Sequence, residues 1–396
     1  MSRPKPQSKR LLIFFYDLSI GGIQRILVDI VEYLQSQNKK EHNQVTLYLK
    51  SYSGSRHNQD YIKRIQKAGA RIIYRPRWTI GPFRIGTLSH MIWIIFKVHP
   101  DVILTHLRLL SVVTVVLNRL FWWRNTTVVL NEGILTSEHL RNEVPKWRRS
   151  YWRLLMKWAY SRADRVIVPT LAVKQNLMDE FDVPSQNICI AVNWTMLHKV
   201  ASSIQKKNDR IYDLIYIGRL EKQKNISDLI DIVKMLTGYR QNLKVCIVGT
   251  GSMEHQLRAD VRGKKLRRTI HFVGIKKDVS SYLERSKIFV LTSEYEGMPI
   301  VLLEAKALGI PAVISDFEGA REVVDNGKDG YICQTKEEFI ERINTLVKDG
   351  SLRKRLGRHA IMRAEREFGV AALQKFCRML METKKKRINT RNKFFL

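Results

Sequence analysis

Short apolar runs alternate with amphipathic stretches along most of this chain, and the alternation begins twice. Such an alternation predicts βαβ units and a parallel sheet that binds its ligands at the carboxyl ends of the strands. The first series starts at Leu11–Tyr16 and the second at Tyr212–Ile217, with a polar, aperiodic segment at 199–210 between them. We therefore predict an α/β protein with two Rossmann-like parallel-sheet domains that face each other across a cleft. A length of 396 residues suits two domains.

The expected strands set the domain limits. They are Leu11–Tyr16, Gln44–Leu49, Arg71–Tyr74, Val102–Leu104, Thr127–Leu130, Arg165–Val168 and Ile188–Ala191, then Tyr212–Ile217, Lys244–Val248, Thr269–Val273, Ile288–Leu291 and Pro311–Ile314. We place the first domain at 1–198, the linker at 199–210, the second domain at 211–368, and the end of the last helix with a basic tail at 369–396. The amphipathic stretch Leu352–Leu380 is expected to pack back on the first domain.

Two glycines, Gly21 and Gly22, follow the first predicted strand and precede a helix that starts near Ile23. Glycine lets a ligand approach the backbone, and a helix N-terminus offers unpaired N–H groups and a positive dipole end. The pattern predicts an anion site. It is not the dinucleotide pattern Gly-x-Gly-x-x-Gly, and a plain tight turn is the alternative interpretation.

A second candidate site follows the first strand of the second domain. Gly218 ends that strand, and Arg219 and Lys224 flank the loop that leads into a helix. Two cations at the carboxyl end of a parallel strand suit a diphosphate, to which each charge-assisted hydrogen bond contributes about 1.5–3 kcal/mol. The alternative is a solvated basic loop, which is common in a chain this basic.

A third candidate site surrounds the start of a helix whose first residue is expected to be Pro299. The backbone N–H groups of Gly297 and Met298 would lie at the positive end of this helix. Glu296 precedes the helix and Glu304 lies just over one turn inside it, so the two carboxylates are not stacked on one face. One can face the cleft while the other accepts hydrogen bonds from two hydroxyls, such as those of a ribose. A capping acid and an exposed glutamate are the alternative.

In combination these segments resemble glycosyltransferase family four, a large group of retaining, nucleotide-sugar-dependent enzymes with the GT-B double-Rossmann fold. The resemblance runs from Leu11 to Leu380. It is carried by the strand–Gly-Gly–helix opening, Gly218-Arg219-Leu220 with Lys224-Asn225, Glu296-Gly297-Met298-Pro299 with Glu304, Ser161–Thr170 and Asn193.

The resemblance implies a donor phosphate site that needs neither a metal nor another cofactor. Arg219 and Lys224 would hold the donor diphosphate beside Gly218 and stabilise the leaving group. Gly22 would lie close to the donor phosphates or to the acceptor.

For the rest of the donor, the resemblance implies contacts from the third site. Glu296 would lie near the transferred sugar, and the backbone of Gly297, Met298 and Pro299 would contact sugar or phosphate. Glu304 would bind the ribose.

This sequence departs from the family pattern at one position. Many members carry a histidine after the strand that corresponds to Thr127–Leu130, where it contacts the donor sugar. This chain has Asn131-Glu132-Gly133 there. Glu132 is one candidate for the sugar contact. His106, after Val102–Leu104, is another, and an ordinary core or surface histidine is its alternative interpretation.

The implied activity is transfer of a hexose or an N-acetylhexosamine from a UDP-sugar, with retention of configuration, to a lipid-linked, envelope or capsular glycan. The residues offer no single well-placed nucleophile, so we expect a front-side displacement assisted by the leaving phosphate. A nucleotide-sugar epimerase of the same architecture is the alternative, and its product would be a free sugar or a 2-epimer.

The chain is strongly basic, with 69 Lys and Arg against 37 Asp and Glu and a formal net charge of +32. Such an excess favours a polyanionic partner: nucleic acid, an anionic membrane surface or phosphorylated small molecules. No RNA-binding aromatic signature or helix-turn-helix stands out, and Glu296 and Glu304 would have no role in a nucleic-acid-binding protein. We therefore expect no nucleic-acid partner and keep that class as the less favoured alternative.

A membrane surface is the partner that the aromatic residues favour. The helix expected at 145–161 would carry Arg149, Arg153 and Lys157 as a stripe beside an aromatic face. That face would consist of Trp147, Tyr151, Leu154, Leu155 and Trp158. A docking helix with a charged outer face is the alternative.

Two more segments support a peripheral location at the cytoplasmic face of the membrane. Phe121–Arg124 is aromatic and basic, and the tail Lys384–Leu396 is basic. No apolar run reaches the ~18 residues of a spanning helix. The four cysteines are scattered, which suits reduced thiols in the cytoplasm.

Overall fold

The computed structural model of the chain describes residues 8–18, 21–37, 43–50, 56–75, 85–106, 108–120, 125–197 and 210–383. Three sequence-predicted features lie outside these ranges: the linker 199–210 apart from Arg210, the segment Phe121–Arg124, and the basic tail. Within them the chain forms two sheets whose strands pair in parallel, as the alternation predicted.

The first sheet has seven strands. They are β1 (Arg10–Phe15), β2 (Gln44–Leu49), β3 (Arg71–Tyr74), β4 (Val102–His106), β5 (Thr127–Asn131), β6 (Arg165–Val168) and β7 (Ile188–Ile190). The helices are α1 (Gly22–Ser36), α2 (Arg56–Lys67), α3 (Ile85–Val98), α4 (Arg108–Leu120), α5 (Thr136–Glu143), α6 (Lys146–Arg162) and α7 (Leu171–Phe181). The spatial order is β3-β2-β1-β4-β5-β6-β7, so the order reverses between β1 and β4 and a crevice opens at their carboxyl ends.

Alternate side chains of the first sheet enter different cores, because successive side chains of a strand point to opposite faces. Leu11, Ile13 and Phe15 pack with α1 and α2 on one face. Leu12 and Phe14 pack with α3 and α4 on the other face. On that face α6 and α7 pack against β5 and β6. Both faces of the sheet are therefore covered by helices.

The second sheet has six strands. They are β8 (Tyr212–Ile217), β9 (Val245–Val248), β10 (Ile270–Gly274), β11 (Ser286–Leu291), β12 (Ala312–Ser315) and β13 (Gly330–Cys333). The helices are α8 (Ile226–Tyr239), α9 (Glu254–Gly263), α10 (Ser280–Glu284), α11 (Ile300–Ala307), α12 (Ala320–Val323), α13 (Lys336–Lys348) and α14 (Gly350–Phe368). The order β10-β9-β8-β11-β12-β13 places the reversal between β8 and β11, the two strands whose loops carry predicted site residues.

The last predicted helix differs from the structure in one respect. Leu352–Leu380 is not one helix but two, because Gly369 takes an extended conformation (φ −90°, ψ −159°) between α14 and α15 (Val370–Met381). The prediction that this stretch packs back on the first domain is confirmed for α15 only, since Leu373, Phe376 and Leu380 are buried in the core that contains α1, whereas Leu356 and Phe368 of α14 lie in the core of the second domain.

Candidate active site

The loops at the carboxyl ends of the two sheets meet across the cleft. A Cβ added to Gly22, at the start of α1, would lie 2.8 Å from the Ile300 Cδ1 atom at the start of α11. A Cβ added to Gly297, after β11, would overlap the backbone oxygen of Gly133, after β5. The other domain approaches the backbone this closely at both positions because glycine has no side chain.

Lys224 and Glu296 form an ion pair at the carboxyl edge of the second sheet, with both side chains mostly buried. Lys224 ends a short 3-10 turn after β8, and Glu296 lies in the loop after β11. Ser293 Oγ donates a hydrogen bond of 2.8 Å to Glu296 Oε1. Neighbouring strands thus bring together two predicted site residues that are 72 positions apart in the chain.

Arg219 is exposed directly after β8, and no carboxylate of the described residues forms a salt bridge with it. Its backbone carbonyl accepts a hydrogen bond of 3.0 Å from the Tyr216 hydroxyl. Gly218 makes room for that hydroxyl, because a Cβ there would lie 2.6 Å from it. Burial, and then the charge of Glu296, raises the pKa of Tyr216 well above its usual value, so the phenol stays a donor.

Glu304 lies on α11 with its side chain 3% exposed, and its carboxylate pairs with the Arg25 guanidinium of α1. Sequence reasoning gave Arg25 no role, because nothing in the chain order shows that α1 and α11 meet. The predicted start of this helix is wrong by one residue. Pro299 has extended backbone (φ −66°, ψ 118°) and precedes the helix, which begins at Ile300.

Asn193 links the end of the first domain to the start of α11. Its side-chain amide donates a hydrogen bond of 2.8 Å to the Met298 carbonyl, and its backbone N–H lies 3.2 Å from the Met298 Sδ atom. The family segment that contains Asn193 therefore touches the predicted donor loop directly.

The two candidates for the sugar contact have different surroundings. His106 is fully buried at the end of β4, with Asn131 Nδ2 3.2 Å from its Nδ1 atom and the Phe15 ring edge-on at 5.4 Å. Burial lowers the pKa of His106 to about 4, so the imidazole is neutral. Glu132 is half-buried beside Gly133 and accepts a hydrogen bond from the Tyr160 hydroxyl. Of the two, Glu132 lies next to the backbone that meets Gly297.

A loop that sequence reasoning missed lies beside the Arg219 loop. It follows β9 and has the sequence Gly249-Thr250-Gly251-Ser252. Leu220 N–H donates to the Thr250 carbonyl at 2.9 Å, and Glu221 accepts bonds from the Ser252 N–H and hydroxyl. A Cβ on Gly249 would overlap the Gly218 carbonyl. The available signal was Gly-x-Gly directly after an apolar strand.

The sequences of both domains match known family models. Residues 20–195 match the model described as Glycosyltransferase Family 4, and residues 200–363 match Glycosyl transferases group 1. The chain belongs to glycosyltransferase family four.

Two curated relatives are also named as glycosyltransferases. The amylovoran biosynthesis glycosyltransferase AmsD of Erwinia amylovora is 31% identical over 217 residues, which is 52% of this chain and 59% of AmsD. The N,N'-diacetylbacillosaminyl-diphospho-undecaprenol alpha-1,3-N-acetylgalactosaminyltransferase of Campylobacter jejuni is 40% identical over 93 residues, which is 23% of this chain and 25% of that protein. The chain thus spans less than two thirds of the length of these curated relatives.

A solved structure shows the GT-B fold. HepE of Anabaena, crystallised with UDP-glucose, superposes with a TM-score of 0.75 at 16% identity, covering 94% of this chain and 98% of HepE. The predicted double-Rossmann architecture is confirmed by this match.

The aromatic face predicted for α6 is divided in this family-four protein. Trp147, Tyr151 and Leu154 are exposed, and Trp147 is 76% exposed. Leu155 and Trp158 instead pack against the core below the helix. The five residues that were predicted to share one face therefore belong to two groups, one packed on the core and one exposed. The prediction of a single aromatic face is wrong.

The predicted basic stripe of α6 is engaged within the protein. Arg149 donates a hydrogen bond of 2.9 Å to a backbone carbonyl, Arg153 pairs with Glu180 at 2.9 Å, and Lys157 pairs with Asp182.

None of the helices in the described part of the chain combines the length and apolarity that crossing a bilayer takes. The same part contains no group of His, Cys, Asp and Glu side chains arranged to hold a metal ion.

Proposed function

We propose that the protein is a retaining glycosyltransferase that transfers a hexose or an N-acetylhexosamine from a UDP-sugar to a lipid-linked or envelope glycan. The observation that carries the proposal is the Lys224–Glu296 pair, which lies at the carboxyl edge of the second sheet, next to Gly297, where the backbone of the second domain meets the Gly133 loop of the first. Substrates of this kind bind at such edges in parallel α/β folds.

The donor is assigned to the second domain. In this proposal Arg219 and Lys224 bind the diphosphate, Gly297 and Met298 offer backbone N–H groups, and Glu304 accepts hydrogen bonds from the ribose hydroxyls. A UDP-sugar is favoured because HepE, which has the same fold, was crystallised with UDP-glucose. The loop at Gly249–Ser252 packs on the Arg219 loop and so forms part of the same wall.

The chemistry follows from these positions. The bond between the sugar C1 and the diphosphate oxygen breaks, and a bond forms from C1 to the acceptor hydroxyl oxygen on the same face. The acceptor proton passes to an oxygen of the departing diphosphate. Arg219 and Lys224 stabilise the charge that develops on that diphosphate, and Lys224 is held in place before the reaction by Glu296. Glu296, held by Lys224 and Ser293, presents its carboxylate beside the sugar.

The acceptor is assigned to the first domain and to the membrane. The Campylobacter relative is named for a diphospho-undecaprenol substrate, which is a membrane lipid. The helices α3, α4 and α6 cover one face of the first sheet, and each exposes large apolar side chains. Exposed Trp93 and Trp147 carry cations over their rings, from Lys97 at 4.4 Å and Arg148 at 4.2 Å. Aromatic residues with adjacent cations suit the headgroup region of anionic lipid at the cytoplasmic face.

The function is tested with a panel of nucleotides and sugars. Calorimetry of the purified protein should show tighter binding of UDP than of GDP or ADP, and UDP release from one UDP-sugar should require a polyprenyl-diphosphate-linked glycan acceptor. Turnover should persist in excess EDTA. Preference for another nucleotide, or loss of turnover in EDTA that magnesium or manganese restores, would contradict the proposal. A 2-epimer formed without transfer would favour the epimerase, and tight RNA or DNA binding without UDP binding would favour the nucleic-acid class.

A further inference from the structure

An ion pair between the two domains has no role in the function proposed above. Arg25 lies in the first turn of α1, in the first domain, and its Nη1 atom meets the Glu304 Oε1 atom on α11, in the second. The Glu304 side chain is 3% exposed and that of Arg25 is 31% exposed. Among the described residues, no other basic side chain forms a salt bridge with Glu304. The charge of this carboxylate is therefore balanced from the opposite side of the cleft.

Because the cation of this pair belongs to the first domain, the ionisation of the Glu304 carboxylate depends on that domain. A buried carboxylate needs a partner charge or several hydrogen bonds to stay ionised. The second domain alone does not supply a basic partner in its described residues, and the cation arrives with α1. Arg25 belongs to helix α1 and not to a loop, and the beginnings of α1 and α11 are in direct contact through Gly22 and Ile300.

We propose that Arg25 is a positioning residue for the donor ribose, acting through Glu304. This rests on the proposed function, in which Glu304 accepts hydrogen bonds from the ribose hydroxyls. The guanidinium keeps the carboxylate ionised and orients it, and a carboxylate has about four lone-pair sites, enough for one guanidinium contact and two hydroxyls. Ribose binding and approach of the first domain thereby strengthen each other through one side chain.

The test compares UDP with 2′-deoxy-UDP, which lacks one of the two ribose hydroxyls. Binding is measured by calorimetry for the wild type, Arg25→Gln, Glu304→Gln and the double variant. Arg25→Gln should weaken UDP binding about tenfold, because it removes a charged contact to Glu304 that is only partly exposed to solvent. It should weaken 2′-deoxy-UDP binding much less, and in the Glu304→Gln background it should change UDP binding by no more than about twofold. Arg25→Lys keeps the charge and should restore part of the affinity.

The controls separate this inference from the proposed function. Arg141→Gln removes an arginine that pairs with Glu138 and Glu180 inside the first domain, and it should bind UDP like the wild type. The inference is wrong if Arg25→Gln weakens the binding of UDP and of 2′-deoxy-UDP equally and if its effect on the binding free energy adds fully to that of Glu304→Gln. Arg25 would then contact the diphosphate. If Glu304→Gln weakens UDP and Arg25→Gln does not, the inference also fails while the donor site stands. If Glu304→Gln binds UDP like the wild type, the ribose role in the proposed function fails first. Thermal unfolding of each variant checks that it is folded.

Discussion

Gly297 and Gly133 belong to different domains, and their backbones meet with no room for a methyl group on Gly297. Gly297→Ala should therefore keep the cleft from closing fully. The Gly297 backbone is not in the left-handed region, so alanine is conformationally allowed and the second domain should fold. We expect kcat/KM to fall about 100-fold, since a displacement of 1 Å at a reacting centre has that order of effect. Steady-state kinetics measure kcat/KM, and thermal unfolding checks that the variant is folded.

The matched control for this variant is Gly238→Ala. Gly238 is exposed on α8, and a Cβ there has no neighbouring atom within 4 Å. Its kcat/KM should equal that of the wild type. Wild-type turnover in Gly297→Ala would mean that the reaction does not use the closed arrangement described here.

Lys224 and Arg219 should differ in what their loss does. Arg219→Ala removes an exposed cation and should weaken UDP binding about tenfold without changing stability. Lys224→Ala should weaken UDP binding and also lower the melting temperature, because it leaves Glu296 buried without its cation. Calorimetry and thermal unfolding separate the two effects. Lys222→Ala, an exposed lysine in the same loop, should change neither, and unaltered UDP affinity in both site variants would remove the phosphate role.

The two site glutamates should affect different kinetic constants. Glu304→Gln weakens acceptance from the ribose hydroxyls, so the donor KM should rise about tenfold with a smaller change in kcat. Glu296→Gln removes a charge beside the reacting sugar and should lower kcat about 100-fold. Glu294→Gln, an exposed residue in the same loop as Glu296, is the control for both. A Glu296→Gln enzyme with unchanged kcat and KM would show that its carboxylate has no part in the reaction.

Vesicle binding should depend on the exposed residues of α6. The protein should sediment with phosphatidylglycerol vesicles and not with phosphatidylcholine vesicles, and less so as salt shortens the Debye length from ~30 Å at 0.01 M to ~3 Å at 1 M. Replacing Trp147, Tyr151 and Leu154 with serine should reduce binding. Arg149, Arg153 and Lys157 have partners within the protein, so their replacement by glutamine should reduce it less.

Two comparisons complete the vesicle experiment. Serine at Met235 and Tyr239, exposed apolar residues on α8 of the second domain, should leave binding unchanged. Removal of Lys384–Leu396 should reduce it in part, because that tail adds basic charge. Equal binding to both lipids would indicate an apolar contact alone, and absence of binding at every salt concentration would contradict the membrane proposal.

Most strands could be predicted from the sequence because a buried parallel strand is a short apolar run bounded by turn residues. The predicted strands begin and end within two residues of those in the structure. β13 was not predicted, since Gly330-Tyr331-Ile332-Cys333 is short and opens with glycine. The break at Gly369 was missed because the amphipathic pattern continues on both sides of it.

The sequence could predict which residues belong to the candidate site, but it could predict their relative positions only within one segment of the chain. Glu296 and Glu304 belong to one loop and helix, and their separation is visible in the sequence. The ion-pair partners of these carboxylates are not visible in the sequence, because Lys224 follows a neighbouring strand and Arg25 belongs to the other domain. Contacts between domains depend on how two separately folded surfaces come together, and no local pattern encodes that arrangement.

The return of α15 to the first domain has a consequence for synthesis of the protein. Leu373, Phe376 and Leu380 complete a core whose other residues come mainly from β1, β2 and α1, near the beginning of the sequence. Domains usually fold in the order in which they leave the ribosome. α1 and α2 cover part of this face from within the first domain, but the part that α15 covers can be buried only after the whole second domain has been translated. A nascent chain of this kind has a long period in which chaperone binding and aggregation compete with folding.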